Sequence, residues 1–395
     1  MKVDVFNRKQ QYLNWKERVL AEGIEGLTKE NSSIIIQYVL DMEVGRNIAK
    51  GSVKGGRGFP RLCNISNRLT WIARKLQDRG IEDLRACDEQ IVLSLFSDME
   101  RGVLLTLAGK PYKSYRDYGV VFKSFWHWWM KVNRKQGKPL PDITEDIPTG
   151  RTQPRFVYLT KEQLDRMLPF FEKEEQTVLL FLFDSLVRSP SEVLSLQVEH
   201  IHTRDDDVCL SIPDEISKTF GRTLNLLYSG QAVLDHIAQK GLGPSDRLFS
   251  FKPENLNKKF QTVAVELFGD VRSHPQGDYF RNATPYDLRH SGAVHFRLLS
   301  KENPGIISLD AVRHRGGWTD MKMLNYYTQF LGLDGMIEKQ GMLLRKDKHK
   351  LEREVDQLRN ELAEIKAMNS KIMQLAKQGL SSGGELAFAN SGQIF

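Results

Sequence analysis

The chain has 395 residues, of which 40% are hydrophobic and 27% charged. That is enough for two or three packed domains of about 100–200 residues each, and it excludes wholesale disorder and collagen-like or membrane-rich classes. The 57 Lys and Arg against 50 Asp and Glu leave a net charge of +7, which suggests a polyanionic partner. The longest apolar stretch, Thr177–Val187, is too short for a bilayer core of about 30 Å and carries Asp184 in its middle. The first residues, MKVDVFNRKQQ, have no apolar run behind their charges, and Cys63, Cys87 and Cys209 lack metal-type spacing. A reduced, cytoplasmic location is therefore expected, with no transmembrane span.

Apolar residues at three- and four-residue steps predict helices near Lys9–Ala21, Ser32–Val44, Arg61–Arg79, Asp88–Leu107 and Ser114–Lys135. Glycine-rich turns at Gly51–Pro60 and Ala108–Tyr112 separate some of them. Positive charge is concentrated here. Between Val44 and Arg79 nine basic residues face only Asp78, and between Arg101 and Lys138 nine face only Asp117. Solvated helix faces normally mix both signs, so a phosphate-binding surface is expected, with Lys54, Arg57, Arg61, Arg68, Lys110, Lys113, Arg116 and Lys123 as candidate DNA contacts. The aromatic cluster Phe122, Phe125, Trp126, Trp128 and Trp129 is read as the core of a small domain rather than a base-stacking platform.

Residues 1–140 thus form a helical DNA-binding domain, and the proline-rich stretch to residue 155 a linker. A second domain, 156–334, opens with the capping-box pattern Thr160–Gln163 and a buried helix through Leu179–Leu186. Two short strands, Val208–Ile212 and Thr223–Leu227, flank a hairpin loop, and helices follow at Gly230–Lys240, Lys252–Leu267, Pro285–Ser300, Ser308–Arg313 and Asp320–Gln329. Beyond residue 335, Leu344, Leu351, Val355, Leu358, Leu362, Ile365 and Ile372 fall on alternating a and d heptad positions, with Lys348 and Asn369 also at a. A coiled-coil helix over 335–378 is expected, serving self-association, followed by a flexible tail over 379–395.

Signatures of metal hydrolysis and nucleotide binding (HExxH, GxxxxGK[ST]) are absent, so neither cofactor nor metal is expected. Four dispersed motifs stand out in the second domain: VRSPSE around Arg188, SKTFGR around Lys218, TPYDLRHSGA around Arg289, and RGGWTDMKMLNYY ending in Tyr327. In this order and spacing, over about Thr160–Gln329, the sequence resembles the tyrosine recombinase (phage integrase) family. Arg188 is trailed by Glu192, Lys218 lies in the hairpin, Arg289 closes a four-residue tetrad, and Trp318 stands nine residues before Tyr327. Two positions depart from the family pattern: Tyr286 replaces the histidine that opens the tetrad, and one extra residue separates Arg188 from Glu192.

The resemblance implies a mostly helical fold with a small antiparallel sheet: a helical core-binding domain, a recombinase catalytic domain and, outside the general family pattern, the coiled-coil helix. It also implies a site-specific recombinase acting on double-stranded DNA as a dimer in solution and a tetramer on two sites. Tyr327 would attack a phosphodiester and become joined to its 3′ phosphate. Arg188 and Arg289 would meet the charge on the non-bridging oxygens. Trp318 would donate an indole N–H, and Lys218 would protonate the departing 5′ oxygen. Tyr286, a phenol of far higher pKa than imidazole, keeps a hydrogen bond but is a poor acid–base group near neutrality. Two other outcomes use the same residues: a catalytically impaired DNA-binding protein on the same fold, and a telomere resolvase joining strands within one duplex.

Overall fold

A computed structural model describes residues 3–48, 54–106, 108–112, 114–150, 155–302 and 307–330, together with 355, 358, 359, 361, 362, 365, 366, 368 and 369. The chain divides into two compact units. One holds the residues up to Arg155 together with Ser189–Leu196, and the other holds Phe156–Arg188 and the residues from Gln197 on.

In the first unit, five helices, α1 (Arg8–Glu22), α2 (Lys29–Val44), α3 (Phe59–Gln77), α4 (Glu89–Glu100) and α5 (Tyr115–Lys135), surround one apolar core. Their starts follow from side chains that satisfy orphan backbone donors. The Thr28 hydroxyl accepts from Asn31 N at the head of α2, and Asp88 accepts from Ile91 N at the head of α4. On α5, Phe122, Phe125, Trp126 and Trp128 are buried, as the packing reading expects. The polar edges of the two tryptophans are satisfied, by Trp128 Nε1 donating to Asp41 at 2.9 Å and Trp126 Nε1 to Pro141 O at 2.9 Å. The helix expected to reach Leu107 stops at Glu100, because Gly102 turns into the left-handed region at φ 72° and the chain doubles back to pair Leu105 with Pro111. The proline-rich stretch is not wholly extended: Ile143 and Ile147 are buried in the core of this unit, which carries residues 141–150 onto its surface.

The second unit is helical around a small sheet: α6 (Lys161–Met167), α7 (Lys173–Ser185), β1 (Ile201–Arg204), β2 (Asp207–Ile212), β3 (Arg222–Asn225), α8 (Gly230–Lys240), α9 (Pro253–Phe268), α10 (Asp287–Glu302), α11 (Leu309–Arg315) and α12 (Lys322–Phe330). The capping box at Thr160 and Gln163 forms as its sequence pattern requires. The strands lie in the order β1-β2-β3, antiparallel throughout, with Thr203 opposite Val208 and Leu210 opposite Leu224. The sequence shows β2 and β3 but hides β1, whose four residues are largely exposed and lack alternation. Its signal is the turn: Asp205 and Asp206 both take positive φ, at 49° and 69°, as a tight two-residue hairpin requires.

Helix α7 is buried on nearly all sides through Val178, Leu179, Phe181, Leu182 and Phe183. Helix α10 lies against it with no room to spare, since a Cβ at Gly292 would collide with the carbonyl oxygen of Phe183. This approach fixes where Arg289, one turn earlier on α10, meets the end of α7. Of the carboxyl-terminal segment, the described positions 355, 358, 359, 361, 362, 365, 366, 368 and 369 have helical backbone. The rest of the expected coiled coil and the tail lie outside the described residues, and no described helix is long and apolar enough to cross a membrane.

Candidate active site

The four sequence motifs of the second domain come together around the end of α7. Leu186 closes that helix in the left-handed conformation, φ 55°. Its carbonyl oxygen accepts from Arg289 Nη1, and Arg289 Nη2 donates to Gly316 O at 2.6 Å. One guanidinium therefore joins the chain two residues before Arg188 to the chain two residues before Trp318. The Trp318 indole, buried beside Leu186, Phe156 and Val312, lies with its ring 5.3 Å from the Arg289 guanidinium carbon. The β2–β3 hairpin loop reaches the same place: Thr219, the neighbour of Lys218, donates its hydroxyl to Gly317 O at 2.8 Å. Gly317 holds φ 62°, and a Cβ there would stand 2.8 Å from Arg222 Nη1. Glycine takes this left-handed turn without strain, and any side chain here would have to displace the Arg222 guanidinium.

The accessibility of these groups differs. Lys218 is exposed on its loop and Arg188 is half-buried. Tyr286, at the approach to α10, is 38% exposed, and its ring meets His290 edge-on at 4.9 Å. Arg289, by contrast, is only 2% exposed, and its two terminal nitrogens serve backbone carbonyls. It holds the site together from inside, whereas the sequence reading expects a fork opened toward phosphate. Tyr327 lies on α12, whose first turn is capped by Asp320 accepting from Lys322 N at 2.8 Å. The side chain of Tyr327 lies outside the described set. Its neighbour Tyr326 packs against the apolar cluster of Leu186, Phe296 and Leu324.

Behind the site stands a polar network that the sequence does not announce. Asp184, fully buried in α7, accepts from Leu227 N (3.2 Å), Tyr228 N (2.8 Å), Ser229 N (2.9 Å) and the Ser229 hydroxyl (2.8 Å). It also pairs with Arg315 Nη1 at 2.9 Å, while Arg315 Nη2 reaches Asn225 O at 2.5 Å. Arg222 Nε in turn donates to Arg315 O at 3.0 Å. Through these bonds α7, β3, the start of α8 and the residue before Gly316-Gly317 are one polar assembly. Asp184 is visible in sequence only as a charge misplaced in an apolar run, and Arg222 and Arg315 only as extra basic residues beside the motifs.

Burial sets the protonation states next to Arg289. The His290 imidazole is pushed down to about 3, first by desolvation and then by the Arg289 charge, so it is neutral at physiological pH. The Asp287 carboxyl is pushed up to about 6 by burial, against the hydrogen bonds it accepts from Thr284 and Val157 N. Neither group could supply acid–base chemistry to solvent from its buried position. Among the described residues no group of three or more His, Cys, Asp and Glu could hold a metal ion.

The candidate DNA contacts of the first unit divide by what they already do. Lys54, Arg61 and Lys110 are exposed and Arg57 is half-buried. Arg68 pairs with Asp117 at 3.0 Å and lies over the Tyr118 ring, Arg116 donates to Gly150 O at 3.0 Å, and Lys123 Nζ donates to Thr144 O at 3.0 Å. The last two tie residues 141–150 to α5. Lys113 lies outside the described residues.

No protein-family model and no curated protein sequence matches the chain. Solved structures do. The chain is similar to a lambda integrase dimer bound to a COC′ core site, at TM-score 0.53 and 14% identity over 75% of this chain and 76% of that one. It is similar to the XerH site-specific recombinase in a post-cleavage complex with palindromic difH, at TM-score 0.51 and 14% identity over 78% and 96%. It is also similar to the Tn1549 transposon integrase in complex with a circular intermediate DNA, at TM-score 0.50 and 13% identity over 76% and 95%. The chain has the tyrosine recombinase fold, mostly helical with one small antiparallel sheet.

Proposed function

We propose that this protein is a site-specific DNA recombinase that cuts and rejoins double-stranded DNA through a 3′-phosphotyrosine on Tyr327, needing neither metal nor ATP. The observation that carries the reading is the convergence on Arg289: its guanidinium bonds Leu186 O and Gly316 O, so the segments bearing Arg188 and Trp318 meet, and Thr219 brings the Lys218 loop to Gly317. Such an arrangement lets dispersed residues act on one group. In this reading Arg188 meets the non-bridging oxygens of the scissile phosphate, and Arg289 adds a fixed positive charge from behind. Lys218, on a solvent-facing loop, delivers the proton to the leaving 5′ oxygen. The phosphotyrosine bond conserves the energy of the broken phosphodiester, so a second strand's 5′ hydroxyl can reverse the step. Tyr326 is committed to an apolar cluster, which favours Tyr327 as nucleophile. Exposed Lys54, Arg61 and Lys110 would hold the DNA backbone. Strand exchange needs four active sites, hence a dimer in solution and a tetramer on two duplexes, with the carboxyl-terminal helix joining copies.

A duplex nicked beside the scissile phosphate should trap a covalent adduct with the wild-type protein and none with Tyr327→Phe. An adduct formed by Tyr327→Phe would overturn the assignment of the nucleophile. A second reading, a DNA-binding protein that has lost catalysis, is favoured by the burial of Arg289 and by Tyr286 at the tetrad's first position. Such a protein would protect its site on a supercoiled plasmid but never relax or recombine it.

A further inference from the structure

The carboxyl-terminal helix carries a charge pattern that selects one geometry of pairing. In the heptad frame, the described positions Val355, Leu362 and Asn369 are a, Leu358 and Ile365 are d, Arg359 and Lys366 are e, and Glu361 is g. Glu354 occupies the preceding g position in the sequence. Val355, Leu358, Leu362 and Ile365 are all exposed, between 38% and 62%, so an apolar seam faces outward over these two heptads.

We propose that this seam is covered by the same helix of a second copy of the chain, lying parallel and in register as a two-stranded coiled coil. The occupant follows from charge. In a parallel pair each g residue faces the e residue of the following heptad on the partner. Glu354 then faces Arg359 and Glu361 faces Lys366, four opposite-charge pairs counting both directions. In an antiparallel pair e faces e and g faces g, which sets Arg359 and Lys366 against each other and Glu354 and Glu361 against each other. Asn369 points the same way. In register, two a-position amides meet and bond to each other, whereas an antiparallel partner would set that amide against an apolar d side chain. Val355 at a with Leu358 at d favours two strands, Leu362 at a with Ile365 at d favours more, and the polar a-position Asn369 decides for two.

The proposal deepens the assembly part of the recombinase reading, but it rests on the heptad pattern of this helix and is tested without catalysis. The experiment measures the mass of the full-length protein by sedimentation across a concentration series. Glu354→Lys/Glu361→Lys makes every g–e′ pair repulsive and should raise the dimer dissociation constant at least tenfold. Adding Arg359→Glu/Lys366→Glu to the same chain should restore it. An antiparallel pair would respond to neither change, because its g–g′ contacts merely pass from two negative charges to two positive ones. Leu358→Cys and Ile365→Cys, made separately, should each form an intermolecular disulfide on mild oxidation, since in-register d residues meet their own copies. The three natural cysteines are buried, so the wild type is the blank. Indifference to the charge reversal, crosslinking at only one of the two positions, or a mass above the dimer would overturn the proposal. The nicked-duplex adduct is formed by a single active site, so its success or failure is read independently.

Discussion

Replacing Asp184 by alanine tests the polar assembly behind the site. The carboxylate is fully buried and neutralises Arg315, whose side chain is 11% exposed. Burial is the main influence on Arg315, lowering its proton affinity while Asp184 opposes it. Removing one partner of a buried pair costs about 3–5 kcal/mol, because the remaining charge stays desolvated without compensation. The amides of Leu227, Tyr228 and Ser229 lose their acceptor at the same time; only Ser229 is fully buried, and its unsatisfied donor adds about 1–3 kcal/mol, less whatever an entering water restores. About 5 kcal/mol is therefore expected for Asp184→Ala, comparable with the whole stability of many domains. Asp184→Asn keeps the shape and one oxygen, so it should cost about 2–3 kcal/mol. Adding Arg315→Met to Asp184→Ala removes the stranded charge and should recover part of the loss. The assay is native-state hydrogen exchange of the full chain, following peptides over 179–187 and 223–240. Protection should fall there and remain in α1 through α5, which have their own core. A loss under about 1 kcal/mol for Asp184→Ala would refute the claim that this carboxylate joins α7, β3 and the Gly316-Gly317 turn.

Four further outcomes are expected. His290, held at about 3 against an unfolded value near 6.5, withholds a proton that the unfolded chain accepts, so it lowers stability as pH falls from 6.5 toward 3. Asp287, raised to about 6, acts with the opposite sign, its contribution growing as pH falls from 6 to 4; urea titrations should thus show a steeper acid loss for Asp287→Asn and a shallower one for His290→Gln, and equal slopes would contradict both burial arguments. Gly317→Ala places a Cβ against Arg222 at positive φ and should cost about 1–3 kcal/mol in a thermal melt, whereas a neutral result would mean that the hairpin can draw back. Arg61→Gln and Lys110→Gln should each weaken DNA binding and reduce the salt slope by about 1. Lys123→Gln, which breaks a bond to Thr144 O, should loosen residues 141–150 and leave the slope unchanged, and a slope change there would reassign it to the DNA surface.

The sequence alone determined the local elements and the order of the motifs. Amphipathic periods, capping residues and turn glycines are written into neighbouring residues, so the capping box at Thr160, helix α8 and the buried aromatic face of α5 could be read directly. The chain order of Arg188, Lys218, Arg289, Trp318 and Tyr327 could likewise be read, and with it the family resemblance. What tertiary structure decided depends on residues far apart. Strand β1 exists because Asp205 and Asp206 turn it onto β2, with no apolar alternation of its own. The role of Asp184 is settled by donors 43 to 131 positions away. Whether Arg289 faces solvent or backbone was fixed only when Gly292 let α10 approach α7 closely enough for the guanidinium to reach Leu186 and Gly316. Burial is a property of the assembled neighbours, so it alone told which charged side chains brace the site and which remain on the surface.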